Sequence, residues 1–133
     1  EEEYFVAGLS LRMTKQKEFE TLGMPASEEQ RTIYYFAGGR NVSYTKYIFP
    51  GIAVGVIDDS DFIVDIVLLD TTYKTARGIA IGDSSNKVKE LYGQEFRRFP
   101  SNTLEYQLKH SAAAIDFKVD PLSSKIIKIF IHN

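Results

Sequence analysis

The stretch Arg77-Gly78-Ile79-Ala80-Ile81-Gly82-Asp83-Ser84-Ser85-Asn86-Lys87-Val88-Lys89-Glu90-Leu91-Tyr92-Gly93 decides the fold. Ile79 and Ile81 alternate with small residues and predict a short extended segment with one apolar face. Gly82 permits a tight turn. Asp83 or Ser84 offers a side-chain oxygen to the free N–H groups of a following helix. Val88, Leu91 and Tyr92 are spaced three and four apart and form one apolar stripe. Gly93 suits the left-handed residue that ends a helix.

Moved back by 70 residues, this module lies over Gly8–Gly23 without a gap. Gly8/Gly78, Lys17/Lys87, Glu20/Glu90 and Gly23/Gly93 are identical, and Leu9/Ile79, Leu11/Ile81 and Thr14/Ser84 are conservative. The helix interior fits less well, because Phe19 falls on Lys89 and not on Val88. In this first copy Tyr4–Leu11 predicts a strand or extended lead-in, and Thr14 an N-cap. Lys15–Leu22 predicts a short helix that turns Phe19 and Leu22 toward a sheet, stopped by Gly23-Met24-Pro25.

Each module is followed by three strand-like runs. They are Thr32–Ala37, Tyr47–Ile57 and Phe62–Leu69 in the first half, and Thr103–Lys109, Ala112–Val119 and Lys125–His132 in the second. Pro50-Gly51 punctuates the Tyr47–Ile57 run, giving two strands or one with a bulge. Ser27-Glu28-Glu29-Gln30 suggests a brief turn, and Gly38-Gly39-Arg40-Asn41 a hairpin. Ile127, Ile129 and Ile131 alternate with Lys128, Phe130 and His132, so one face of the second sheet is apolar. The prediction is an α+β chain of tandem duplicated βαβββ units, with short helices packed on one face of an antiparallel sheet. Residues 1–133 form a single domain built of two repeats, 4–70 and 73–133.

Composition narrows the function. The chain has 133 residues, 44% apolar and 26% charged, which is ordinary for a globular domain. No apolar run is long enough to span a bilayer. A net charge of −2 gives no nucleic-acid footprint. The charge is uneven: residues 1–70 hold 12 acidic and 6 basic groups, and residues 71–133 hold 6 acidic and 10 basic. This reads as drift in surface charge, or as attraction between the halves or to a charged partner. With no cysteine, disulfides, thiolate catalysis and cysteine metal sites are excluded. Glu1-Glu2-Glu3 reads as a solvated lead, of the kind that follows a removed signal.

The chemistry-bearing residues form no familiar catalytic pattern. His110 and His132 lack a second histidine or a carboxylate at metal spacing on one helix face, so they read as surface or strand-end histidines. Asp58-Asp59-Ser60-Asp61 resembles a calcium loop in composition only and reads as a hairpin turn. Gly78–Ser85 matches neither phosphate-loop nor dinucleotide patterns and reads as a capped helix start. No cofactor, metal or catalytic site is expected. What remains is aromatic: eight Tyr and nine Phe. Tyr34, Tyr35, Tyr44, Tyr47 and Tyr106 are the candidate protein-binding residues, because tyrosines on a sheet offer rigid amphipathic contact area. The same residues also suit cross-strand packing.

The pattern Thr75-x-Arg77-Gly78-Ile79-x-Ile81-Gly82-Asp83-Ser84-x-x-x-Val88-x-x-x-Tyr92-Gly93 resembles the helix-start motif of small bacterial exported proteins and lipoproteins. Ile52–Val56, Phe62–Leu69 and Lys125–Ile131 resemble their strands. Those proteins are similar to the β-lactamase-inhibitor-protein fold, which also includes small outer-membrane assembly lipoproteins. The resemblance implies helices on one face of an antiparallel sheet and an open face that binds another protein. It carries over no functional residue, and Arg12-Met13 replaces Gly82-Asp83 in the first copy. The expectation is therefore a non-enzymatic bacterial protein, extracellular or in the cell envelope. It would bind an envelope or secreted protein, and a lipid anchor upstream is compatible with it. The alternative is a small-ligand or cell-wall-component binder in a groove between the repeats.

Overall fold

The computed structural model describes residues 6, 9–11, 15–35, 39–107 and 113–132, with Tyr35 described by its backbone alone. In chain order the elements are α1 (Lys15–Leu22), β1 (Ser27–Tyr35), β2 (Arg40–Phe49), β3 (Ile52–Ile57), β4 (Phe62–Leu68), α2 (Ser85–Tyr92), β5 (Arg97–Phe99), β6 (Thr103–Gln107), β7 (Ala114–Val119) and β8 (Ile126–His132). All eight strands join one antiparallel sheet in the order β1-β2-β3-β4-β8-β7-β6-β5. The α+β class is as expected.

Strand register explains where the core sits. Side chains of directly paired residues share a face. One row runs Leu104–Phe117–Ile129–Leu68–Ile52–Phe49 across six strands, and the next runs Tyr106–Ile115–Ile131–Ile66–Val54–Tyr47. Every member is buried. Both helices land on these rows. Phe19 of α1 meets Tyr47 edge-on at 5.3 Å, and Tyr92 of α2 meets Phe117 at 5.1 Å. The helices therefore cover the same face of the sheet; no helix among the described residues lies on the other, although its middle, at Ala53 and Val67, is also buried.

The module around α2 folds much as its residues dictate. Ser84 is the N-cap, its hydroxyl accepting from Lys87 N–H at 3.1 Å. Asp83 instead accepts from Ala80 N–H at 2.9 Å and from Lys87 Nζ at 3.1 Å. Gly93, at φ 96°, stops the helix, as Gly23 stops α1 at φ 83°. Val88 is buried and Tyr92 packs on the core, but Leu91 of the expected stripe is exposed.

Several expectations need correcting. Ile79 and Ile81 lie in a series of turns, not in a strand. Val6 and Leu9 bridge each other, and Val6 also bridges Thr75, so the two lead-ins meet by isolated bridges. Each helix is followed by four strands, not three. The polar segment Ser27–Gln30 belongs to β1 and is not a turn. Backbone pairing with β2 holds it, and its charges suit an exposed sheet edge. Arg97–Phe99, not read as a strand, is the opposite edge. The Tyr47–Ile57 run divides at Pro50-Gly51 into β2 and β3. Thr14, Gly38 and His110 lie outside the described residues.

Two bulges set the facing of the last strand in each half. The β3–β4 register shifts beside Gly55, so Gly55 pairs with Asp65 and Val56 with Ile63, leaving Val64 unpaired in register. The β7–β8 register shifts at Lys118, leaving Ile127 as the extra residue. Ile126, not Ile127, therefore joins the core, and Ile127 is 48% exposed.

One charged residue is buried among the described residues. Glu18 of α1 is fully buried, and neither carboxylate oxygen has a hydrogen-bond partner. Burial pushes its carboxyl up to about 8, against a small opposing pull from Lys15. Between the unfolded value near 4.3 and 8, the folded chain holds the extra proton, so stability falls as pH rises, by up to about 1.4 kcal/mol per pH unit. We expect Glu18→Gln to remove this slope and to be the more stable protein at pH 8. Urea unfolding of both proteins from pH 4.5 to 8.5 checks it; parallel curves would refute the buried, unpartnered state.

Candidate open-face site

The structure does not bring the candidate tyrosines together on one surface. Tyr47 and Tyr106 point to the helix-covered face. Tyr47 packs against Phe19, and the Tyr106 hydroxyl donates to the Gly93 carbonyl at 2.8 Å. Tyr44 is on the opposite face but only 4% exposed, lying across Gly55. Tyr34 is exposed on the edge strand β1. Nothing is described of the Tyr35 side chain.

The open face instead carries a line of polar groups. One row pairs Arg97, Glu105, Asp116 and Phe130 in succession from β5 to β8. The adjacent row pairs Ala114, His132, Asp65, Gly55 and Lys46 from β7 to β2. The β4 bulge is what puts Asp65 here. Were Val64 an ordinary strand position and not the bulged one, strict alternation from Ile63 would turn Asp65 toward the helices.

Contacts tie these groups together within each half. Tyr44 donates its hydroxyl to the Asp65 carboxylate at 2.8 and 3.0 Å. His132 Nε2 lies 3.1 Å from Asp116 Oδ2 and 3.6 Å from Glu105 Oε2. Arg97 Nη1 lies 3.8 Å from Glu105 Oε1. Phe130 stacks on the His132 ring at 4.6 Å. A Cβ at Gly55 would overlap the Tyr44 hydroxyl and the Asp65 carboxylate, so only glycine lets these two meet.

Burial dominates the electrostatics. It raises the Asp65 carboxyl above its ordinary value, opposed by the Tyr44 hydrogen bond and by Lys46 and His132. It raises the Tyr44 hydroxyl, helped by the neighbouring Asp65 charge. Glu105 is raised by burial and then by the Asp116 carboxylate directly opposite. Glu105, Asp116 and His132 each offer a donor atom within 4.8 Å of the others, the one such grouping among the described residues. They sit on three different strands. Spacing along one helix, the signal sought in the sequence, could not reveal them. Their common alternation phase on consecutive strands could have.

No protein-family model matches the chain, and no curated protein does. Among solved structures, the uncharacterized protein yfeY from Escherichia coli is similar in fold. At 15% identity and a TM-score of 0.61, the match covers 98% of this chain and 97% of that one. An extracellular protein containing a SCP domain, from Bacillus anthracis str. Ames, matches at 9% identity and a TM-score of 0.58. There the alignment covers 92% of this chain but 44% of the other. At such identities the likeness is one of fold.

The Tyr44–Asp65 contact is expected to contribute to stability across the sheet. Tyr44→Phe removes the side-chain donor of a half-buried carboxylate and should cost about 1–3 kcal/mol. A double-mutant cycle with Asp65→Ala, followed by urea unfolding, should give a coupling energy of at least about 0.5 kcal/mol. Additive effects would show that the hydrogen bond contributes nothing.

Proposed function

We propose that the chain is a non-enzymatic exported bacterial protein that binds another protein through the open face of its sheet. The observation that carries this reading is the one-sided coverage: the helices take one face, and the other keeps a half-buried aromatic, Phe130, among charged groups. Lys128 Nζ lies 5.8 Å from the Phe130 ring, and Lys118 stands beside it in register. An aromatic ringed by charge is a common anchor in protein recognition. Tyr34 is exposed on the edge strand, but its pairing with Asn41 gives it the phase of Tyr47, so it is not part of the open face. Tyr47 and Tyr106, which support the core, are left out of it.

An ancestral duplication supports the same reading. Each half is a helix followed by four strands, and the strand order mirrors about the β4–β8 pair. Ile63-Val64-Asp65-Ile66-Val67-Leu68 and Ile126-Ile127-Lys128-Ile129-Phe130-Ile131 agree in pattern and carry their bulge at the same place. The expected likeness to inhibitor-type scaffolds belongs with this inference. Export is supported by the structural neighbour described as extracellular. No helix among the described residues is long and apolar enough to cross a membrane, so attachment to an envelope would come from a lipid anchor upstream. A ligand groove between the halves would need an opening at the β4–β8 seam, where Ile66, Leu68, Ile129 and Ile131 are packed and buried.

Photoreactive residues placed at Lys46 or Lys128 in the native bacterium should yield a discrete protein adduct, and those at Asn86 or Glu90 of α2 should not. Phe130→Ala should weaken binding of that adducted partner, once purified, by about tenfold or more. Adducts that favour α2, or none from the open face, would overturn the reading.

A further inference from the structure

We propose that Glu105, Asp116 and His132 form a binding site for a divalent transition-metal ion of the zinc type on the open face. The three side chains come from β6, β7 and β8, adjacent strands of a rigid sheet, and their donor atoms converge to within 4.8 Å. The spacing suits a small ion. Tetrahedral coordination with ligand bonds of about 2.0–2.1 Å separates neighbouring ligand atoms by roughly 3.3 Å. His132 Nε2 stands 3.1 Å from Asp116 Oδ2 and 3.6 Å from Glu105 Oε2, on either side of that value.

Two independent observations point to a missing positive charge. Asp116 Oδ1 is a buried oxygen with no hydrogen-bond partner, although its sister oxygen faces His132. Such an orphan is costly unless something fills it. Glu105 and Asp116 also sit directly opposite each other in the antiparallel register, with side chains 11% and 19% exposed. Like charges so placed repel, and the Glu105 carboxyl is raised by burial and then by a hydrogen bond and the charge of Asp116. Arg97 answers only from the rim, 75% exposed and 3.8 Å from the other Glu105 oxygen.

The donor set sorts the candidate ions. Calcium takes six to eight oxygens at about 2.3–2.6 Å, and magnesium favours an octahedral shell of oxygens and waters. An imidazole beside two carboxylates fits zinc, cobalt or a neighbouring first-row dication better. Phe130 stacks against the His132 ring and fixes its orientation, the service that second-layer groups perform at metal sites. A hollow lined by Thr103, Asp116, Lys118, Lys128 and Phe130 opens beside Asp116. With three protein ligands, one coordination position stays available to water or to a group from a partner. The site does not depend on the protein-binding reading, because its occupancy is measured on the chain alone.

The test is calorimetric titration of the full, untagged, chelator-treated chain with zinc chloride and, separately, calcium chloride. One zinc per chain is expected, with a Kd of about 10 μM or tighter and at least about tenfold preference over calcium. Asp116→Asn and His132→Ala should each weaken zinc binding by about tenfold to a hundredfold. His110→Ala and Asp59→Asn, which probe the other histidine and the acidic turn, should leave it unchanged. Cobalt added to the wild-type chain should give the intense visible absorption of a tetrahedral site, a readout that needs no variant to fold. Absence of stoichiometric zinc binding overturns the proposal. So does binding that survives Asp116→Asn combined with His132→Ala, or that is lost with His110→Ala. In those cases the hydrogen bond between His132 and Asp116 accounts for the cluster.

Discussion

The structure depends on the packing of Ile66 against Ile131 and of Leu68 against Ile129, where β4 meets β8. These four side chains are at most 1% exposed. Fully burying one such residue is worth roughly 1.5–3 kcal/mol. Four together match a large part of the net stability of a small domain, about 5–15 kcal/mol. Parting the halves would forfeit much of that and bare two sheet edges at once. The pairing also fixes register for everything outward of it. A slip of one residue would turn every side chain of β8 to the opposite face, so the seam that joins the cores also decides what the open face displays.

Parity in a sheet is strict unless a residue is added, and this chain adds one in each half. Val64 and Ile127 let the strand restart its alternation after one core isoleucine. The first bulge turns Asp65 outward to meet Tyr44 across Gly55. The second turns Lys128, Phe130 and His132 outward together, with Ile129 and Ile131 still in the core. Local geometry thus sets the placement of the polar groups, and burial by their neighbours sets the rise of Asp65 and Glu105.

How much of this was legible in the residues varies by element. α2 could be read almost atom by atom: Ser84 caps, Gly93 stops, Val88 and Tyr92 pack. The one-sided strands β6 and β7 were legible for the same reason, since Leu104, Tyr106, Ile115 and Phe117 alternate cleanly. β1 was legible only in its second half, Thr32–Tyr35; its polar start Ser27–Gln30 was not, because no face of it is buried. Its strandhood comes from backbone bonds to β2, which leave no hydrophobic pattern. Bulges were invisible too, since Val64 and Ile127 are as apolar as their neighbours and only the partner strand shows which one is extra. Tyrosine content misled for a related reason. Tyr47 and Tyr106 have the composition of a recognition surface, yet their strand phase puts them beside Val54 and Ile115 in the core. The charged cluster was hidden because its members are far apart in sequence. Glu105, Asp116 and His132 become neighbours only when β6, β7 and β8 pair.

Asp116 stands between Glu105 and Phe130, where a threonine or valine would suit the sheet better and repel nothing. Charged groups on an open face are expected to reach water, but these do not. Glu105 and Asp116 are side by side, mostly buried, with one oxygen unanswered. Glu18, the other unanswered acid, is buried on α1, with only Lys15 opposing the effect of its burial. A lone buried acid relieves itself by keeping its proton. Two acids converging on one imidazole have a further option, because a shared cation satisfies all three at once. That difference in company, more than any difference in burial, separates a tolerated structural oddity from a group of side chains arranged to hold something.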